Sequence, residues 1–159
     1  MTKPQSLELV DRAAQSEPIA RKLEEIAAGH RPVRFSHVLE PARAFLAATL
    51  ARQLKKTIWI LCPNVRAQDS LYESLLNWLP NAQYLPEAEF AAVENILPDP
   101  EIAAERLALL ARIEMEPGPH VIVATRASLD QPAPKRGMLP TASIVPAPSI
   151  PSVVGNVWG

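Results

Sequence analysis

The stretch Thr57-Ile58-Trp59-Ile60-Leu61-Cys62-Pro63-Asn64 decides the fold. Its first six residues are β-branched or apolar, and no charge interrupts them. The weak alternation predicts a strand covered on both faces, as in a parallel sheet. Pro63 ends the strand, and Asn64 is a good cap for a following helix. His120-Val121-Ile122-Val123-Ala124-Thr125 repeats the pattern of strand, turn and helix. Amphipathic helices lie between and around the two strands. The expected class is therefore α/β: a three-layer, partly parallel sheet flanked by helices.

Outward from this unit, the helices carry their own start and stop signals. Ser16-Glu17-Pro18 predicts a helix start with Ser16 as cap, and Ile19, Leu23, Ile26 and Ala27 form its apolar stripe. Gly29 fits the left-handed position that ends it. Residues 1–16 read as a short docking helix, and Val33-Arg34-Phe35 as a short strand. Pro41 opens an alanine-rich helix whose expected buried side is Ala42, Phe45, Leu46, Thr49, Leu50 and Leu54. A helix from about Val65 to Trp78 follows the first strand, and Gln83-Tyr84-Leu85 reads as another short strand. Asp99-Pro100-Glu101 is a clean helix start: Asp99 caps, Pro100 takes the first position and Glu101 suits the positive end. Ile102, Ala103, Leu107, Leu110, Ala111 and Ile113 are its expected apolar set.

Composition bounds the function. The chain has 159 residues and a net charge of -1, which gives no general attraction to nucleic acid. No apolar run approaches a membrane span or the core of a signal peptide. The one cysteine, Cys62, allows no internal disulfide. A cytoplasmic location is the expectation. Of the 17 prolines, those at 132, 134, 140, 146, 148 and 151 crowd a tail without apolar period. The expected division is a docking segment over 1–16, an α/β domain over 17–135, and a proline-rich linker or the start of another domain over 136–159.

The chemistry-bearing residues point away from catalysis. A phosphate loop needs glycines and a Gly-Lys-Ser/Thr ending between strand and helix. The turn in that place, Ser36-His37-Val38-Leu39-Glu40-Pro41-Ala42, has no glycine or lysine, and Glu40 repels phosphate. It has the topology of a nucleotide site without its chemistry. Cys62 sits at the carboxyl end of its strand, where active sites gather, yet a nucleophile needs a base. His120 begins the other strand and belongs at the opposite edge; His37 is nearer. His30, His37 and His120 have no metal spacing with Cys62. Asp99 and Glu101 are accounted for as helix-start residues. Trp59 and Trp78 read as core, while Trp158 calls for a partner. The candidate interaction residues are Arg66 and Arg126, which follow the two strands and share an edge if these are parallel, and Glu87, Glu89 and Glu94 in the irregular stretch 86–98. No catalytic residue, metal or cofactor is expected.

Four stretches resemble a known family. They are Pro41 to Ala48, Ile58 to Leu71, Pro98 to Leu110 (Pro-Asp-Pro-Glu-Ile-Ala-Ala-Glu-Arg-Leu-Ala-Leu-Leu), and Val121 to Leu129 (Val-Ile-Val-Ala-Thr-Arg-Ala-Ser-Leu). Their order is similar to the N-terminal module of bacterial transcription-repair coupling factors, a UvrB-like domain. The likeness covers roughly residues 20–135 and departs at Glu40-Pro41 and around 85–95. The resemblance implies a degenerate P-loop, RecA-like lobe that has lost its nucleotide site. It implies a non-catalytic platform that positions the region recruiting the damage-recognition subunit UvrA to stalled RNA polymerase. UvrA and RNA polymerase would be met through the full-length protein, whose separate motor hydrolyses ATP. This piece would touch neighbouring domains, with no direct contact to nucleic acid or membrane. The alternatives are a stand-alone α/β protein-binding domain and a small enzyme with its site at the carboxyl ends of the strands.

Overall fold

A computed structural model describes residues 3–87, 99–135 and 137–138 of the chain. Glu89, Glu94, Trp158 and the tail beyond Met138 lie outside the described residues. Among the described residues, six helices and three strands follow in the order α1 (Lys3–Ala14), α2 (Glu17–Ala27), α3 (Ala42–Leu54), β1 (Ile58–Cys62), α4 (Val65–Leu76), β2 (Gln83–Tyr84), α5 (Pro100–Met115), β3 (Val121–Thr125) and α6 (Arg126–Asp130). The sheet order is β1-β3-β2, and both pairs are parallel. Ile58 lies opposite Val121 and Cys62 opposite Thr125. This is a three-layer α/β arrangement, with helices on both faces of a parallel sheet.

Local signals set the helix ends. The Asn64 side chain accepts the Ala67 N–H at 2.9 Å, and the Asp99 side chain accepts the Glu101 N–H at 2.9 Å. Each satisfies a backbone donor that the helix leaves unpaired. At the end of α2, Gly29 takes φ +84. The His30 N–H reaches the Glu25 carbonyl and the Gly29 N–H that of Ile26, both at 3.0 Å, which is the paired closure of a left-handed cap. Ser16 behaves differently from expectation. It occupies the cap position, but its hydroxyl donates back to the Ala13 carbonyl at 2.7 Å, at the end of α1. Lys55 ends α3 with φ 48, a left-handed cap that no glycine announced.

The core has two parts, one on each face of β3. On one face, Val123 joins Cys62, Leu75, Ala82, Ala44, Ala48 and Val10. On the other, Ile122 and Ala124 meet Leu85 and Leu109, with Ile113 beside them. Two apolar stripes are turned from their expected positions. The buried residues of α3 are Ala44, Ala48 and Thr49, whereas Ala42 is exposed and Phe45, Leu46, Leu50 and Leu54 are half-buried. The small side chains face inward because α1 and α4 both pack closely on this helix, and a bulky row would hold them off. In α5 the buried residues are Arg106, Leu109 and Ala111, and Leu107 is exposed. Arg106 is buried because its guanidinium donates to the Pro86 carbonyl at 3.2 Å and the Gln131 carbonyl at 3.4 Å. Trp78 packs edge-on against Phe45, with ring centroids 4.8 Å apart.

The largest departure concerns β1. Among the described residues it is an edge strand covered on one face, where the sequence predicts two covered faces. Ile60 and Cys62 point toward α3 and α4. Trp59 and Leu61 share a face with Ile122 and Ala124, yet α5 covers only the latter pair. Trp59 is 41% and Leu61 57% exposed, so Trp59 is a surface residue rather than core. Val33, Arg34 and Phe35 form no strand. Pro32 has no N–H to give a ladder, and His37 at φ 60 turns the chain out of the extended region, so the segment passes β1 without pairing.

Helix α1 is docked on α3 through Val10, fully buried, and a two-pronged ion pair. Arg52 Nε and Nη2 donate to the two Asp11 carboxylate oxygens at 2.9 and 2.8 Å. The Arg52 hydrogen bond holds the Asp11 carboxyl below its ordinary value of 3.8. A carboxyl lowered in the folded state adds stability above its unfolded pKa and loses it as the pH falls through the folded one. Amides of α1 are therefore expected to lose protection selectively on acidification below that ordinary value. In Arg52→Ala the same amides exchange a few-fold faster at neutral pH, and the acid step disappears.

Candidate interaction surface

The parallel register puts the ends of β1 and β3 at one edge of the sheet, and so brings Arg66 and Arg126 to that edge. Their states differ. Arg126 is engaged by Asp130 on the next turn, Nε to the carboxylate at 2.8 and 3.0 Å, and this pairing raises its pKa. Arg66 is exposed, with no ion pair among the described residues. Glu87 belongs to the same edge. Its carboxylate accepts the Thr125 hydroxyl at 3.0 Å, while Thr125 also caps α6 by accepting the Ser128 N–H at 2.9 Å. Glu87 is thus a fastening of the loop after β2 to the start of α6.

The residues considered for chemistry are kept apart. Cys62 and His120 occupy opposite ends of the sheet. Burial pushes the Cys62 thiol up, which disfavours the thiolate that a nucleophile requires. Cys62 lines a hollow of 480 Å³ with Glu40, Pro41, Arg43 and Ser70, whereas His37 lines two others. Glu40 is on the wall of that hollow, and the turn before α3 follows no strand, so the expected topology of a nucleotide site is not formed there. Among the described residues, no three His, Cys, Asp or Glu side chains come together as metal ligands.

One buried polar residue ties the sheet together. Gln68 on α4 is fully buried and donates through Nε2 to the Leu85 and Val123 carbonyls, both at 2.9 Å. The Val123 carbonyl also receives the Leu85 N–H at 2.9 Å. Gln68 therefore closes the ladder where β2 ends. Two carbonyls around one atom fix the amide orientation, because the opposite flip would set oxygen against oxygen. Tyr84 adds a link from β2 to α4: its hydroxyl donates to Asp69 at 2.7 Å, and burial, with that carboxylate, raises its pKa.

A further apolar surface lies beside the outer edge of β1. Two hollows of 670 and 660 Å³ adjoin there and share Phe35, His37, Val38 and Leu46. The first lies between α2 and α3, with Ile19, Leu39 and Phe45 on its walls. The second runs along β1, past Leu50, Leu54 and Ile58 to Leu61. Leu39 is 75% exposed. Helix α2 contributes no buried residue, although Ile19, Leu23 and Ile26 are aligned along it. Among the described residues, β1 has no strand partner on its outer side. The Ile58 N–H bonds to the His120 carbonyl at 2.8 Å. In a parallel ladder alternate residues point to one neighbour, so Ile58, Ile60 and Cys62 face β3, and the N–H and C=O of Trp59 and Leu61 face the open side. Sequence reasoning missed this groove. Its signal, the apolar residues Val33, Phe35, Val38 and Leu39 near an uncharged strand, reads in sequence like part of a core.

No protein-family model, no curated protein and no solved structure matches this chain. The fold and site so far define a small α/β domain. Among the described residues, no helix is long and apolar enough to cross a membrane.

Proposed function

We propose that this chain is a protein-binding domain whose interaction surface is the groove between α2, the 33–39 segment and the open edge of β1. One observation carries the reading: Leu39, Trp59 and Leu61 are exposed around hollows that continue along the outer side of β1, where it has no strand partner among the described residues. Contiguous apolar surface beside an open sheet edge is what partner proteins cover. The separation of Cys62 from His120 and the raised thiol pKa support a role without chemistry of its own.

The finer form of the proposal is the platform domain of a transcription-repair coupling factor, a degenerate P-loop lobe. The strand–turn–helix unit at 58–71 and the glycine-free turn leading into α3 support it. In that form the groove is covered by other domains of the same polypeptide, and the 159 residues alone bind purified UvrA little or not at all.

The test places a photocrosslinking side chain at Leu39 in the protein's native cells. A discrete protein adduct is expected, with none from the same side chain at Glu105, exposed on α5. Equal adducts from both positions overturn the reading. If the adduct is another part of the same polypeptide, the coupling-factor form gains support. Tight binding of UvrA by the isolated chain counts against it.

A further inference from the structure

The groove carries information about its occupant in its charges. Among the described residues, the two hollows are lined by Arg21, Lys22, Arg34, Arg43 and His37, and by no aspartate or glutamate. Lys22 is committed to Glu25 at 2.7 Å. Arg21 lies in the field of the same Glu25, whose carboxyl is already held by Lys22. Arg34 and Arg43 are exposed, and neither has an ion pair or side-chain hydrogen bond among the described residues. Lys55 and Lys56 stand exposed just before β1, and Arg66 just after it. A chain of net charge -1 thus has basic side chains on the walls of both apolar hollows. Glu25 is taken up by Lys22, and Glu40 lines the neighbouring hollow, which it shares with Arg43.

Resting on the protein-binding reading, we propose that the groove takes an acidic amphipathic helix of a partner protein. Its apolar stripe would lie between α2 and α3, on Ile19, Phe35, Leu39 and Leu46, with its carboxylates beside Arg34 and Arg43. Helix-in-groove binding uses anchors spaced i, i+3, i+4 and i+7, and opposite charge on the rim speeds and orients the encounter. The basic side chains also select among occupants. Beyond Asp130 this chain has no acid at all and adds Lys135 and Arg136, so its own tail does not complement the rim. Basic partners are repelled by it.

The test uses the full 159-residue chain, isotope-labelled, and two synthetic helical peptides. Both carry leucines at i, i+3, i+4 and i+7; one has glutamates elsewhere, the other lysines. The acidic peptide is expected to bind about tenfold or more tightly, shifting the resonances of Phe35, Leu39 and Leu46. Added salt should weaken it, because rim charges in water are screened over about 8 Å at physiological ionic strength. The double variant Arg34→Glu with Arg43→Glu should reverse the preference; both sites are exposed, and circular dichroism checks that the variant folds. Equal binding of the two peptides at the groove overturns the acidic-partner proposal and leaves the protein-binding reading standing. Absence of binding by either peptide overturns the proposal as well. Nuclear Overhauser contacts from Phe35 or Leu46 to residues 139–159 in the free chain overturn it in favour of the chain's own tail.

Discussion

Gln68→Ala is expected to destabilise the domain by about 3 kcal/mol. Two effects add. The Leu85 carbonyl loses its amide partner in a buried place, and the truncated side chain leaves a cavity under β2 and β3. Gln68→Leu separates them: it fills most of the space but leaves the carbonyl unpaired, and should cost roughly 1–2 kcal/mol. Gln68→Glu is the sharpest form of the experiment. At neutral pH a carboxylate would face two carbonyl oxygens in a dry site. Burial raises the folded pKa of such an acid above its unfolded value, so the folded state binds the extra proton first. Stability of this variant should therefore increase as the pH falls toward the acid range, the reverse of the Asp11–Arg52 behaviour. Urea unfolding across pH reads all three. An alanine variant as stable as the parent would mean that Gln68 does not hold β2 in place.

Ile122→Ala should cost about 3 kcal/mol, while Leu61→Ala, on the same face one strand away, should cost less than about 1 kcal/mol. Ile122 is fully buried on the middle strand, between Trp59 on β1 and Gln83 on β2, and is covered by Leu109 of α5. Leu61 is 57% exposed at the open edge. From sequence, both are apolar residues within uncharged runs. Thermal or denaturant unfolding of the pair measures the asymmetry of the sheet directly. Similar losses at both positions would show that β1 is covered in solution on the face that is open in the structure.

What the sequence disclosed, and what it hid, follows from the range of each interaction. Asn64, Asp99 and Gly29 act within one helical turn of themselves, so their roles were legible from neighbours alone. The two five-residue strands and their parallel pairing were legible because helices intervene between them. Whether β1 was an edge or a centre depended on a segment that had to arrive from elsewhere. Val33-Arg34-Phe35 has strand composition, but Pro32 and the left-handed His37 bracket it, and it does not pair. The inward face of α3 was misread for a related reason. A helix lying between two close neighbours presents Ala44 and Ala48 to them and turns Leu46, Leu50 and Leu54 toward the groove. The same reversal leaves large apolar side chains at the surface, which is why the groove was invisible from composition. Arg66 and Arg126 were placed at a common edge by strand logic, but the Asp130 pairing that engages Arg126 is a side-chain choice that strand logic does not see.

The account turns on an open β1 edge, and amide hydrogen exchange at single-residue resolution tests it most directly. The Trp59 and Leu61 amides, which face the open side, should exchange much faster than those of Ile58, Ile60 and Cys62, which are bonded to β3. Addition of a partner that fills the groove should slow exchange along the β1 edge. Equal, strong protection along all five residues of β1 in the free protein would contradict the account, because the edge would then already be occupied.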